Sequence, residues 1–255
     1  MCRLCRYQCT VTAGTIFEKT RTPISSWFAA AWYITSQKNG VSALGLQRML
    51  GLGSYQTAWT MLHRLRRAMV NPQRERLSGV VEVDETYVGG RDDRKTRALH
   101  PDSKKSIVII AVELLEPKGF GRIRLQRITS ATKKSIEPFI RDSIEPGAVV
   151  QTDGSAVYGS IQNDGYTRNK IVQLGSENPA HVTLAGVHRI ASLLKRWLIG
   201  THQGSVKPEQ LDFYLDEYTF RFNRRTSRSR GLLFFRLLEQ AVMTAPVTYQ
   251  EITRA

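Results

Sequence analysis

The length of 255 residues suggests one large domain, or a main domain with a smaller one. The chain's 41% hydrophobic and 23% charged residues are those of an ordinary globular protein. Its formal net charge of +15 and pI near 10.1 are unusual and favour a polyanionic partner, with nucleic acid as the leading candidate. No segment approaches the about 20 apolar residues of a membrane helix, and no apolar signal core opens the chain. We therefore expect a cytoplasmic protein with no membrane contact.

The three cysteines all lie before residue 10, and this odd, clustered set does not indicate a disulfide framework. Cys2 and Cys5 have the spacing of half a zinc site, and Cys9 offers a third ligand. A structural zinc site needs four ligands, and no second CxxC or HxxxH pair follows nearby. Residues 1–20 are interpreted either as a partial, truncated zinc-ribbon-like segment or as a stretch with ordinary reduced thiols.

Residues 21–72 are predicted to form a small helical domain. Helices are expected at residues 23–35, 42–50 and 54–69. Two helices joined by a glycine-containing turn are typical of the helix-turn-helix, although a plain helical bundle remains an alternative. The last helix carries Arg64, Arg66 and Arg67, whose charges suit contacts with phosphate groups.

The stretch VVEVDETYVGG, residues 80–90, is predicted to be a buried strand that carries carboxylates. Alternation places Glu82 and Asp84 on one face and Glu85 on the other. Charges in so apolar a strand cost free energy unless they are paired, metal-bound or on an open rim. Taken alone, the stretch fits a metal ligand at Asp84 and solvated carboxylates at a strand end equally well.

The remainder is predicted to be a mixed α/β domain over residues 79–245. Further strands are expected at residues 106–115, 121–129, 148–152 and near 170–174, and helices at 132–143, 187–204, 208–223 and 232–243. Arg122 and Arg124 are expected to point outward, and the charged segment 91–105 is expected to be an exposed loop.

Asp153 follows a short apolar strand, and it would meet Asp84 if the first and fourth strands were neighbours. His188 and Lys195 are seven positions apart, which places them two turns apart on one stripe of a helix. A turn aspartate and a solvated helix face are the alternatives for these residues. From His188 to Arg236, lysine and arginine outnumber the acidic residues, as a nucleic-acid surface requires.

Several motifs occur together in the order TAGTIF, GVSALGLQRMLGL, VEVDETYVGG, QTDGSAVY, HRIASLLKRWLIGTHQG and LDEYTFRFNRR. In this the chain resembles bacterial insertion-sequence transposases of the DDE superfamily, in the zinc-ribbon-containing group with an ISXO2-like transposase domain. The resemblance implies a ribonuclease-H-like α/β fold, with a mixed sheet and flanking helices, preceded by a helix-turn-helix DNA-binding domain. The single CxxC pair departs from the complete ribbon of the family.

The resemblance implies that Asp84, Asp153 and His188 bind two Mg²⁺ or Mn²⁺ ions, and that Lys195 contacts DNA near the scissile bond. A histidine ligand suits manganese better than magnesium, so we expect a manganese-tolerant site. Because an imidazole must be neutral to bind a metal, activity is expected to fall at acid pH. Glu177 and Glu85 are rival third ligands.

The expected function is cleavage at the ends of a mobile element and strand transfer into double-stranded target DNA, by a homodimer or larger assembly at the nucleoid. DNA contacts are expected from Arg64, Arg66, Arg67, Lys195, Arg196, Arg221, Arg224 and Arg225. The alternatives are a sequence-specific DNA-binding regulator on a dead nuclease fold, and a structure-selective nuclease that cuts branched DNA.

Overall fold

The computed structural model describes residues 3–5, 10–71, 73–89, 105–171, 184–204 and 206–254. The chain divides into two compact units, one formed by Met1–Gln73 with Arg224–Ala255 and the other by Arg74–Asn223. None of the helices in the described ranges is long and apolar enough to cross a membrane.

The two units differ in their secondary structure. The first holds the helices α1 (Ile24–Ser36), α2 (Ala43–Leu50), α3 (Tyr55–Arg67), α7 (Arg230–Met243) and α8 (Tyr249–Arg254). The second holds the helices α4 (Lys133–Ser143), α5 (Ala185–His202) and α6 (Leu211–Asn223), and the strands β1 (Val80–Val88), β2 (Ser106–Leu114), β3 (Phe120–Ile128), β4 (Val149–Thr152) and β5 (Thr167–Lys170). The predicted helices before residue 70 are confirmed to within a few residues.

The first unit is a helical cluster in which α1 packs against α7, and α3 packs against α2 and α8. Helix α2 begins where the Ser42 hydroxyl accepts a hydrogen bond from the Gly45 amide at 3.0 Å. It ends at Gly51, whose φ of 63° is in the left-handed region that favours glycine. The glycine turn therefore separates α2 from α3, as the sequence predicted.

The second unit is built on a five-stranded sheet with the order β3-β2-β1-β4-β5. β1, β2 and β3 pair in antiparallel fashion, whereas β4 and β5 run parallel to their neighbours. One face of the sheet forms a hydrophobic core with α4, and the other forms a second core with α5 and α6. The predicted fold class, a ribonuclease-H-like mixed sheet with flanking helices, is confirmed.

Two features differ from the sequence prediction. The predicted α/β domain extended to residue 245, but its compact unit ends at Asn223, and α7 instead packs on α1. A second difference concerns β3, where Arg124 is only 3% exposed and donates hydrogen bonds to the carbonyl oxygens of Ile123 and Glu75. A strand arginine can be buried in this way when main-chain acceptors satisfy its guanidinium group.

Candidate active site

The central strand β1 brings two predicted site residues together. β1 runs parallel to β4, with Glu82 opposite Gln151. Continuing this register by two positions places Asp84 opposite Asp153, the residue that follows β4. Neighbouring strands lie about 4.8 Å apart, so both carboxylates are at the same end of the sheet and within reach of each other. The predicted proximity of the first and fourth strands is confirmed.

The electrostatic surroundings of Asp84 disfavour its ionised form. Burial raises the pKa of Asp84 above its usual value, and the negative charge of Asp153 raises it further. The Glu85 amide, which donates to Oδ1 of Asp84 at 2.8 Å, and the nearby His188 act in the opposite direction. A bound cation would relieve the repulsion between the two carboxylates and favour their ionised forms.

The first turn of α5 lies against the same face of β1. The Val187 amide donates a hydrogen bond to Oε2 of Glu82 at 2.9 Å, and the Gly186 amide interacts with the same carboxylate. His188 follows in this turn, and its proximity opposes the rise that burial causes in the pKa of Glu82 and of Asp84. Its Nε2 atom is buried and has no hydrogen-bond partner among the described residues.

The turn that carries Asp153 is held by Arg168 on β5. The guanidinium group donates from Nε to the Thr152 hydroxyl at 3.0 Å, and from Nη2 to the carbonyl oxygens of Asp153 and Ser155 at 3.0 and 2.8 Å. The Ser155 amide donates in turn to Oδ1 of Asp153 at 2.9 Å. Arg168 therefore fixes the backbone on both sides of the predicted ligand.

A buried tyrosine connects this turn with β1. The Arg168 guanidinium lies 5.8 Å from the centre of the Tyr158 ring, and the Tyr158 hydroxyl donates to Oε1 of Glu85 at 2.8 Å. Burial, together with the charges of Asp84 and Asp153, raises the pKa of Glu85 to about 7. The hydrogen bond from Tyr158 opposes this rise. Glu85 is therefore electrostatically part of the site, although its side chain starts on the opposite face of β1.

The donor atoms suit a divalent ion, but they do not form a closed cage. Within the described ranges, no group of three or more His, Cys, Asp and Glu side chains is placed to hold a metal. Asp84 and Asp153 nevertheless have carboxylate oxygens close to each other, and His188 has a nitrogen atom without a hydrogen-bond partner among the described residues. These donor types match those used for Mg²⁺ and Mn²⁺.

Comparison with known families identifies the second unit. The family model of the ISXO2-like transposase domain matches residues 76–223, which is more than half of the chain. The chain belongs to this transposase family. A relative from Halobacterium salinarum, described as an uncharacterized protein in transposable element ISH50, is 26% identical over 249 residues, covering 91% of this chain and 80% of the relative.

Solved structures of the Mos1 transposase are more distant. The pre-cleavage Mos1 transpososome matches with 11% identity and a TM-score of 0.30, and the Mos1 strand transfer complex with 12% identity and a TM-score of 0.29. In both cases the match covers 90% of this chain and 80% of the Mos1 chain. Likeness at this level does not support an inference about this family member.

The predicted DNA contacts of this transposase-family chain fall into three groups. The exposed residues of this set are Arg67, Lys195, Arg196 and Arg225. Arg64, Arg221 and Arg224 are partly buried. Arg64 donates a hydrogen bond to the Ile16 carbonyl oxygen, and Arg221 forms an ion pair with the buried Glu217 at 2.7 Å. Arg66 is a correction: it is 1% exposed, and its guanidinium donates to the Val41 carbonyl oxygen at 3.5 Å. A side chain so deeply buried does not present its charge to a phosphate group.

Several predicted features lie outside the described residues. Cys2, Cys9, Glu177 and the loop at residues 91–104 belong to this set, whereas Cys5 is described and exposed. The zinc segment and the rival ligand Glu177 therefore remain predictions.

The sequence did not single out Arg168 or Tyr158. Arg168 contacts two carbonyl oxygens, the Thr152 hydroxyl and the Tyr158 ring, all on another segment of the chain. No sequence motif relates its position to that of Asp153. The only sequence signal was the position of Tyr158 five residues after Asp153, within the motif QTDGSAVY.

Proposed function

We propose that the chain is a DNA transposase that cleaves the ends of a mobile element and transfers the cut strand into target DNA. Its membership of the ISXO2-like transposase family supports the general activity. The observation that carries the proposal is the parallel pairing of β1 with β4, which places Asp84 beside Asp153, with His188 close enough to act on the Asp84 charge.

Asp84, Asp153 and His188 would hold the divalent ions of the reaction. When bound, such ions lower the charge repulsion at the scissile phosphate and stabilise the leaving oxygen of an in-line displacement. The two carboxylates provide the negative charge that attracts the ions, and Arg168 holds the Asp153 turn in place. The His188 imidazole contributes a neutral ligand, which favours Mn²⁺ relative to an all-carboxylate site.

Double-stranded DNA is the proposed partner of both units. Lys195 is exposed two turns after His188 on α5, and this exposure supports a role in contacting a phosphate group near the cleaved bond. In the first unit, α2, the Gly51 turn and α3 would form the helix-turn-helix that reads the element's end, with Arg67 at the backbone. Since two ends must be joined in one event, we infer that two or more copies act together.

Cleavage assays on three DNA substrates test the proposal. Purified protein is incubated with DNA from the flanks of its gene, a scrambled duplex, and a four-way junction, each with Mg²⁺, Mn²⁺ or EDTA. We expect nicking of the flank DNA only, dependent on the metal, with His188→Ala strongly impaired. Binding of flank DNA without nicking would instead indicate a regulator, and preferential cutting of the junction would indicate a structure-selective nuclease.

A further inference from the structure

Glu82 is a buried carboxylate in the centre of the sheet. It is only 4% exposed, and none of the described lysines or arginines forms an ion pair with it. Its carboxylate is instead directed at the first turn of α5, where it accepts a hydrogen bond from the Val187 amide at 2.9 Å and interacts with the Gly186 amide. A carboxylate at this place satisfies amides that have no partner within the helix and interacts favourably with the helix dipole.

Gly186 allows this close approach. A Cβ atom at residue 186 would lie 2.8 Å from Oε2 of Glu82 and 3.2 Å from Cε1 of Phe120. Glycine is unfavourable inside a helix, so contact with the sheet is the physical reason that a glycine suits this position. The pair Glu82 and Gly186 therefore fixes how near the start of α5 lies to β1.

We propose that Glu82 is a positioning residue that holds the first turn of α5 on β1 and so sets His188 relative to Asp84. His188 follows Val187 directly, and Asp84 lies two residues after Glu82 on the same face of the strand. A movement of the first turn would displace the imidazole from the two carboxylates. This inference rests on the proposed function, in which His188 is a ligand.

The test compares Glu82→Gln with Glu113→Gln. Glu113 is a matched control, because it is also a buried strand glutamate, 7% exposed, and accepts hydrogen bonds from the amides of Ser78 and Arg122. Its cross-strand partner is Val81, whose side chain lies in the core with α4, on the face of the sheet opposite to that of Glu82. Both variants replace a buried carboxylate by an amide, and Glu113→Gln also removes the ion pair with Arg122. Only Glu82→Gln loosens the turn that carries His188.

Three measurements on the folded proteins separate positioning from simple stability. Nitrogen-15 NMR of the metal-free protein reports the His188 ring, calorimetry reports Mn²⁺ affinity, and single-turnover cleavage of flank DNA reports catalysis. For Glu82→Gln we expect shifted His188 ring signals, about 10–100-fold weaker Mn²⁺ binding and about 100-fold slower cleavage. For Glu113→Gln all three are expected to match the wild type, with only the melting temperature lowered.

A second pair of variants covers the case in which Glu82→Gln does not fold. Gly186→Ala should weaken Mn²⁺ binding by pushing the turn outward, and adding Glu82→Asp should restore part of that loss because the shorter side chain makes room for the methyl group. The inference is overturned if Glu82→Gln behaves like Glu113→Gln, or if Gly186→Ala leaves Mn²⁺ affinity and the His188 signals unchanged. If instead His188→Ala binds Mn²⁺ and cleaves as the wild type does, the ligand assignment of the proposed function is the part that fails.

Discussion

Replacing Arg168 by alanine should impair the protein in two separable ways. The wild-type guanidinium donates three hydrogen bonds to the turn around Asp153, at 2.8–3.0 Å, and lies over the Tyr158 ring. A hydrogen bond from a charged donor contributes about 1.5–3 kcal/mol when buried, and these bonds are not additive. Because Arg168 is only partly buried, we expect Arg168→Ala to lower the free energy of unfolding by about 2–3 kcal/mol.

The effect on catalysis should be larger than this loss of stability implies. Without the guanidinium, the Asp153 turn is free to move, and a displacement of about 1 Å in a catalytic group can slow a reaction about 100-fold. Single-turnover cleavage of flank DNA measures this rate under conditions where urea titration shows that the variant is folded. Arg168→Lys keeps the charge but not the planar fork, so it should recover little of the rate.

The matched control is Asn169→Ala, an exposed neighbour on β5. It should leave both stability and the cleavage rate near the wild-type values. If folded Arg168→Ala cleaved as fast as Asn169→Ala, the view that Arg168 positions Asp153 would have to be abandoned. A rate fully restored by Arg168→Lys would also contradict it, because charge alone would then be sufficient.

Two further predictions concern stability and DNA affinity. Burial opposes the ionisation of Glu113, but hydrogen bonds from the Arg122 side chain and from two backbone amides outweigh it, so the pKa of Glu113 is lowered. Its stabilisation is therefore present above about pH 4.3, the ordinary value for glutamate, and is lost as the pH falls through the folded-state pKa. Glu113→Gln should lower the free energy of unfolding by about 2–3 kcal/mol at pH 7, as measured by urea titration, and this difference from the wild type should shrink in acid. An equal difference at both pH values would contradict the prediction. In the first unit, Arg67 is exposed, so Arg67→Ala should weaken DNA binding and reduce the slope of log affinity against log salt concentration by about 1. Arg66 is only 1% exposed, so Arg66→Ala should chiefly lower the melting temperature. The reverse pattern in fluorescence anisotropy would show that the burial of Arg66 does not hold on DNA.

Features that depend on local pattern could be predicted from the sequence. The alternation of β1 placed Glu82 and Asp84 on one face, and the structure directs that face toward α5. The short strand before Asp153 was also predicted, and its pairing with β1 gives the two carboxylates their proximity. Both features could be predicted because the spacing of apolar residues within one segment indicates its secondary structure and which of its side chains share a face.

Features that depend on contacts between distant segments could not be predicted. Arg66 and Arg124 were read as surface charges, because a pattern does not show that main-chain acceptors such as the Val41 carbonyl oxygen are nearby. The packing of α7 on α1 likewise depends on tertiary structure, since the sequence does not show which surface the apolar side chains of α7 cover. Tyr158 engages Glu85 across the fold for the same reason, and no motif spacing connects them.

We propose above all that Asp84 is a ligand of the catalytic metal. Its most direct test is the single-turnover rate of flank-DNA cleavage in Mn²⁺ for the wild type and Asp84→Asn, at DNA concentrations that saturate both proteins. Loss of about 4 kcal/mol of transition-state stabilisation corresponds to a rate about 10³-fold lower, and we expect at least this reduction with DNA affinity retained. Cleavage by Asp84→Asn at the wild-type rate, or cleavage by the wild type in EDTA, would contradict the account.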